Sequence, residues 1–405
     1  MNRLMLLATL SACAAKEPTR AVDGLDCTPT DTSQHPRAAA LQAALDSTQR
    51  DLSIPGLSMA VLDGDGLWLG AAGTADAEND IALTPCMRFP IFSVTKTFVA
   101  TTVLSLAEDG ALDLDARAAT YLTDDETRDI PNIGEVTVRQ LIGQTSGIPD
   151  YVDTSFVLAT LDDPKRRWTW RQALDLVRGA RPQFEPGTQF RYSNTNFILA
   201  AAIVERVTGR PQGEVVGERT FDALEAPNMT FPTDDFATAG LVRGYFDLHG
   251  DGHLVDTTDG IALAVVAADG CIQSDAAGVA TFYDALLEGE SLIGPDSLAA
   301  MRDWRTTATD PEWSASPRLA DIDAYGLGLS RWGVDAVEGW GHGGDGFGYQ
   351  AHAYTFPSRG TTFVLLANGG SFVGKGSNLT ARIDDARDRL ARVAIDVPEV
   401  GSPAE

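Results

Sequence analysis

Phe92-Ser93-Val94-Thr95-Lys96 puts a hydroxyl and an amine three residues apart, in front of an apolar run from Phe98 to Ala107. On a helix, residues three apart share a face, with about 5–6 Å between Cβ atoms. A serine hydroxyl is a weak nucleophile until a neighbour takes its proton. A lysine can take it if burial or nearby positive charge lowers its pKa. Ser-x-x-Lys is short and recurs by chance. Of the lysines Lys16, Lys96, Lys165 and Lys375, however, only Lys96 has serine three residues before it. Arginine keeps its proton at neutral pH and lysine need not. A lysine here, in a chain that otherwise prefers arginine, points to proton transfer.

Two further stretches could complete such a site. Pro186-Gly187-Thr188-Gln189-Phe190-Arg191-Tyr192-Ser193-Asn194 sits at a loop-to-helix junction, and Gly341-His342-Gly343-Gly344-Asp345-Gly346 leads into a strand. Each residue has a bland alternative. Ser93 and Asn194 could cap helices, Tyr192 could be a core aromatic with a satisfied hydroxyl, and His342 could sit in a glycine turn. Taken together and in order, Ser93/Lys96, Tyr192/Asn194 and His342/Gly344 resemble the Ser-x-x-Lys, Tyr-x-Asn and Lys/His-x-Gly motifs of the serine β-lactamase and penicillin-binding protein superfamily. The resemblance is to the branch with class C β-lactamases, D-alanyl-D-alanine carboxypeptidases and related esterases. Leu141 to Tyr151 and Leu366 to Gly370 support it, and it covers roughly residues 36 to 395. Three ordered motifs are far more specific than one.

The resemblance implies acyl transfer through a serine ester, without cofactor or metal. Ser93 attacks a carbonyl and Lys96 primes its hydroxyl. Tyr192, made more acidic by Lys96, shuttles protons, and Asn194 orients the substrate amide. The backbone N–H groups of Ser93 and Asp345 form an oxyanion hole beside Gly344. Losing one such donor costs about 2.7–4 kcal/mol in a comparable enzyme. One departure matters: His342 stands where β-lactamases of this superfamily usually keep lysine, and a neutral imidazole holds a carboxylate less firmly than an ammonium. Gly343 replaces the common Thr or Ser, so one hydroxyl contact to substrate is missing. The expected activity is that of a D-alanyl-D-alanine carboxypeptidase-like peptidase on cell-wall peptides. The alternatives are an esterase or weak β-lactamase of the same family, or a cell-wall binding protein that lost turnover.

The elements that must position these residues are also legible. Pro36 to Leu52 reads as a helix, with Leu41 and Leu45 one turn apart. Leu57 to Leu62 and Leu67 to Ala72 read as strands around the turn Asp63-Gly64-Asp65-Gly66. The middle is mostly helical. Asn196 to Val207 forms a helix with Asn194 as cap and Gly209 as stop. Leu327 to Trp332, Tyr349 to Phe356 and Thr361 to Ala367 return to strand composition, and Leu379, Ile383, Ala386, Leu390 and Val393 mark a closing amphipathic helix. These elements suggest one α/β domain interrupted by a helical one, and the resemblance implies a β-lactamase/transpeptidase-like α/β (α+β) fold: an antiparallel sheet flanked by N- and C-terminal helices (about 36–90 and 318–395), with a mainly helical part inserted (about 91–317). A cleft between the two parts is a usual place for a ligand.

Rival chemistries fare worse. Gly369 to Lys375 follows a strand like a phosphate-binding loop, but Gly376 stands where Ser or Thr should hold magnesium. Asp247, His249, Asp251 and His253 alternate like metal ligands, yet Gly250 and Gly252 make a solvated turn the better reading. No Gly-x-Ser-x-Gly elbow occurs.

The formal charge of −26 argues against nucleic acid and anionic membrane surfaces as partners. The partners expected are a peptidoglycan-type peptide or a small ester or amide, bound by a monomer. Residues 1–12 have the layout of an export signal: a positive Met1-Asn2-Arg3, then apolar Leu4 to Leu10. The end Leu10-Ser11-Ala12-Cys13 resembles a bacterial lipobox, which implies lipidation at Cys13, a tether over 13–35, and a protein anchored to the cell envelope. No later segment is apolar enough to cross a membrane. In an oxidising compartment a pair can form among Cys27, Cys86 and Cys271. Cys27 with Cys86 is the expectation, though sequence leaves the connectivity open. The tail, 396–405, has no structural signal.

Overall fold

The computed structural model describes residues 27–226, 228–232, 240–260, 265–266, 269–311, 313, 321–371 and 379–397. The signal-like segment, Cys13, most of the tether, the end of the tail and residues 372–378 of the glycine-rich loop lie outside them.

Among the described residues, nine strands form one antiparallel sheet. In chain order they are β1 (Gly56–Asp63), β2 (Gly66–Asp76), β3 (Ile81–Ala82), β4 (Arg305–Thr306), β5 (Ile322–Tyr325), β6 (Ser330–Val334), β7 (Val337–Gly346), β8 (Tyr349–Phe356) and β9 (Thr361–Ala367). Across the sheet the order is β4-β5-β6-β7-β8-β9-β1-β2-β3. The first and last parts of the chain therefore meet in the middle, where Leu57 pairs with Ala367. The β1–β2 turn closes with Asp63 opposite Gly66. Gly66 takes φ +108°, a conformation glycine adopts freely.

Side chains alternate across each strand, and both faces are covered. The back face carries Leu57, Met59, Val61, Tyr354, Phe356 and Leu365 against Leu41 and Leu45 of α1 (Ala38–Asp51) and Ile383, Ala386 and Leu390 of the closing helix (Leu379–Ala394). The front face carries Ala60, Ala351, Ala353, Val364 and Leu366 in a larger cluster. That cluster holds α2 (Thr95–Glu108), a helix over Asn194–Thr208 (α3) and another over Ala276–Leu287 (α4). Because both faces are covered, all eight residues of Tyr349–Phe356 are buried, the polar Gln350, His352 and Thr355 included. Val393 is the exception in the closing stripe. It is 37% exposed, and Ala394 is buried in its place.

Two expectations shift. The strand near Leu327 begins at Ser330, because Gly326 to Leu329 form a turn closed by Gly326 N–H to Leu329 O (2.7 Å). Asn194 is not a cap: α3 begins at Asn194, Ser193 holds the cap position, and no side chain caps the helix. Gly209 ends it as expected, at φ +66° with its N–H on Glu205 O (2.8 Å). Cys27 and Cys86 are disulfide-bonded and Cys271 is a buried thiol. Asp247 accepts the backbone N–H groups of His249, Gly250, Asp251 and Gly252, so that stretch is a turn closed on its own carboxylate. No helix of the described residues is long and apolar enough to cross a membrane.

Candidate active site

Ser93 lies in a 3-10 turn, Phe92–Val94, that runs directly into α2. Phe92 has φ +45°, a strained conformation for a bulky residue. A short ladder pairing Phe89–Pro90 with Gln273–Ser274, continued by Ile91 N–H to Ile272 O (2.9 Å), lays the segment 269–272 beside the turn. Strand β7 lies on the other side. A Cβ at Gly344 would fall 2.2 Å from Ile91 O and 3.1 Å from Ser93 N, so only glycine lets the strand come this close.

Lys96, one turn into α2, is fully buried. Its Nζ lies 2.9 Å from Ser93 Oγ, 2.7 Å from Asn194 Oδ1 and 2.6 Å from the Asp269 carbonyl oxygen. The last two are acceptors only, so they take two N–H groups whatever the charge state. The third direction faces Ser93. As an ammonium, Lys96 donates to Ser93; as an amine, it turns its lone pair to the serine hydroxyl. Burial pulls its pKa down to about 8, against the opposing pull of the Asp269 and Asp150 carboxylates. The arrangement can therefore deprotonate Ser93 near neutral pH.

Asn194 is oriented by Asp150. Asp150 Oδ2 accepts from Asn194 Nδ2 (3.0 Å) and Oδ1 from Asn194 N–H (3.0 Å), which turns the amide oxygen to Lys96. One amide N–H is left for a substrate. Burial pushes the Asp150 pKa up to about 7, opposed by the Val152 N–H, by Lys96 and by the Asn194 N–H. The loop carrying Asp150 is stitched to α3. Gln144 Oε1 accepts from Ser193 N–H (2.9 Å) and Asn196 Nδ2 (2.6 Å), and Pro149 O accepts from Thr195 Oγ1 (2.8 Å). The stretch Leu141 to Tyr151 thus supports the nucleophile's neighbours.

Tyr192 is held from behind: its N–H donates to Asp310 Oδ2 (3.2 Å), and its ring packs on Trp313 at 5.3 Å between centroids. Its ring lies 5.1 Å from Lys96 Nζ and its hydroxyl meets Ser93. The expectation that Lys96 acidifies it is corrected. Burial dominates and pushes the Tyr192 pKa well above the ordinary phenol value, with Tyr325 adding to the rise and the Ser93 hydrogen bond opposing it. Tyr192 is a neutral phenol in the free protein.

His342 is also buried. Its Nε2 lies 3.1 Å from Tyr325 Oη and its Nδ1 2.5 Å from Gly343 O. The carbonyl can only accept, so Nδ1 carries the proton and Nε2 accepts from the tyrosine. Burial, then the Lys96 charge, pull its pKa down to about 3. His342 is therefore neutral throughout the physiological range. Asp345 is exposed at the mouth of the site.

Ser93, Asp150, Tyr192, His342 and Asp345 line one cavity of about 270 Å³. All the anticipated residues of the three motifs converge here; Cys13 lies outside the described residues. Asp150, Asp269 and Tyr325 were not anticipated as site residues. Asp150 stood inside a quoted stretch without a role. Asp269 had no signal at all: its carbonyl holds Lys96, while its carboxylate accepts from Tyr151 Oη (2.9 Å) through Oδ2 and leaves Oδ1 without a partner among the described residues.

The comparisons with known proteins agree with this geometry. The β-lactamase family profile matches residues 40–388. Penicillin-binding protein 4 of Amycolatopsis lactamdurans is 27% identical over 372 residues, 89% of this chain and 92% of that protein. A D-aminopeptidase of Brucella anthropi is 30% identical over 352 residues, 85% of this chain; the chain spans 60% of that longer protein. Among solved structures, a D-stereospecific amidohydrolase from Streptomyces sp. superposes with TM-score 0.69 at 30% identity, over 82% of this chain and 95% of the other. D-amino acid amidase from Ochrobactrum anthropi SV3 superposes with TM-score 0.76 at 26% identity, over 88% and 98%. With a serine, a buried lysine and a tyrosine meeting at one cavity and a profile match over most of its length, this chain belongs to the β-lactamase family of serine hydrolases.

Proposed function

We propose that the protein hydrolyses small amides or peptides of D-amino acids through an acyl-enzyme on Ser93. The observation that carries the reading is the triple coordination of Lys96, which leaves its lone pair only the Ser93 hydroxyl to face. Lys96 takes the serine proton as Oγ attacks the carbonyl. The N–H groups of Ser93 and Asp345, on either side of Gly344, receive the developing oxyanion. Tyr192, a neutral phenol hydrogen-bonded to Ser93, donates its proton to the departing amine and recovers one from Lys96; water then cleaves the ester by the same route reversed. Asn194 and the β7 edge hold the substrate amide.

The wall chemistry supports an amide substrate over one with a carboxylate beside the scissile bond. His342 is neutral, Arg387 is tied to Asp388 (2.7 Å), and Asp150 and Asp345 also line the cavity, with Asp310 paired to Arg191 (3.8 Å). Such a wall suits a free α-ammonium, as on the substrate of an aminopeptidase or amidase. A D-alanyl-D-alanine carboxypeptidase is the second reading, favoured by the full-length likeness to penicillin-binding protein 4. Esterase and weak β-lactamase activities share the same machinery. The residues Leu10 to Cys13 support a lipid-anchored location.

A fluorophosphonate probe and a panel of D-amino-acid amides, D-Ala-D-Ala peptides, β-lactams and short esters test this. Ser93→Ala should lose all labelling and all turnover while keeping its melting temperature. Labelling of the Ser93→Ala protein, seen by intact mass, would refute the nucleophile. Turnover of D-Ala-D-Ala peptides but not of amides would favour the second reading.

A further inference from the structure

The glycines of β7 do not share one cause. A Cβ at Gly341 would lie 1.8 Å from Ala353 O, at Gly344 2.2 Å from Ile91 O, and at Gly346 2.2 Å from the Phe92 ring. Packing forbids a side chain at each. At Gly343 the nearest atoms would be His352 Nδ1 at 3.6 Å and Tyr354 Oη at 3.7 Å, which are ordinary contacts, and its φ lies outside the left-handed region. The fold does not require glycine at 343.

What the missing side chain does is leave room. β6 pairs with β7 only as far as Ser330 opposite Gly341, so among the described residues no strand lies beside the β7 edge beyond that point. The cavity at Ser93 wraps round this free edge. On the back face its lining includes His352, Tyr354 and Arg387, together with Trp313 and Ile322 of the same back-face cluster. Gly343 is opposite His352 and Gly341 opposite Tyr354 in the ladder, and opposed residues share a face. A side chain at 343 would therefore project into the back half of the cavity.

We propose that Gly343 is the threshold of a subsite behind β7 that takes a bulky aromatic side chain of the substrate's acyl group. This rests on the amidase reading: when ammonia leaves, the leaving group needs no room, so the space serves the acyl side. Trp313, Ile322 and Tyr354 make apolar and aromatic walls. Arg387 at the far end does not call for an anion, because its guanidinium is held by Asp388 (2.7 Å) and Asp384 (3.8 Å) and stacked on Trp332 at 4.5 Å. An apolar cavity of about 150 Å³ admits benzene in another protein. About 270 Å³ holds a ring and leaves space at the serine.

The test compares kcat/KM for D-phenylalanine amide and D-alanine amide in the full-length protein, since both release ammonia. The wild type should favour the phenylalanine amide at least tenfold. Gly343→Val, whose Cβ fits and whose methyls enter the subsite, should lower that preference at least tenfold. Ile322→Trp should lower it from another part of the lining, and Gly343→Ala should have a smaller effect. Melting temperature and fluorophosphonate labelling check that each variant is folded. An unchanged preference in both large variants, or none in the wild type, overturns the subsite. If labelling is intact but neither amide turns over, the amidase reading fails instead. The same ratio is then read on p-nitrophenyl phenylacetate and acetate, where an unchanged value again overturns the subsite.

Discussion

At the scale of single residues, the site depends on which groups burial keeps neutral. Desolvation disfavours charge, and it acts here on Lys96, Asp150, Tyr192, Asp269 and His342 together. Lys96 must be an amine to accept the Ser93 proton. For an uncharged ester, kcat/KM should therefore rise tenfold per pH unit in acid and level off as pH passes through about 8. The Asp150 carboxylate stabilises the ammonium, so Asp150→Asn should move this limb to lower pH. A purely structural loss would lower the plateau and leave the limb in place, and stopped assays from pH 5 to 10 separate the two. His342 contributes no limb in this range, because it is already neutral.

At the scale of elements, the nucleophile's position depends on segments that come from far apart in the chain. The disulfide Cys27–Cys86 spans 59 residues and ties the chain before α1 to the segment that leads into Ser93. Constraining a loop of that size contributes about 2–4 kcal/mol. Cys27→Ser and Cys86→Ser should each lower stability by this amount under oxidising conditions, and the double variant should be no worse than either single. Denaturant melts check it: additive losses would mean the two thiols act separately. The short helices of the middle region also became clear only in the structure. Thr123/Glu126, Thr137/Gln140 and Thr169/Gln172 each form a capping box. The motif was in the sequence, but helices of four to six residues carry too little periodicity to be read.

At the scale of the whole molecule, the cavity sits where the sheet meets the helical part. The sheet supplies β7 and the helical part supplies Ser93, Lys96, Tyr192 and Asn194. The proposed anchor belongs to this scale too. If Leu10 to Cys13 is a lipobox, the mature protein begins at a diacylated Cys13 and partitions into detergent. Cys13→Ser should release it to the aqueous phase with the site intact. An unmodified Cys13 by mass spectrometry would refute the anchor.

The sequence by itself determined the three motifs, the hairpin around Gly64-Asp65, the helix within Pro36 to Leu52 and the strand Tyr349–Phe356. Each is a local pattern, written in spacing, turn chemistry or periodicity. Tertiary structure alone decided that Asn194 faces Lys96 and is no cap, since Asp150, 44 residues earlier, turns its amide. It alone brought the Asp269 carbonyl to Lys96, across 173 residues. It alone separated the glycine at 343 from those at 341, 344 and 346, which look alike in sequence. Charge states were decided there as well, because desolvation depends on which chains close over a group, and no local window of sequence contains that.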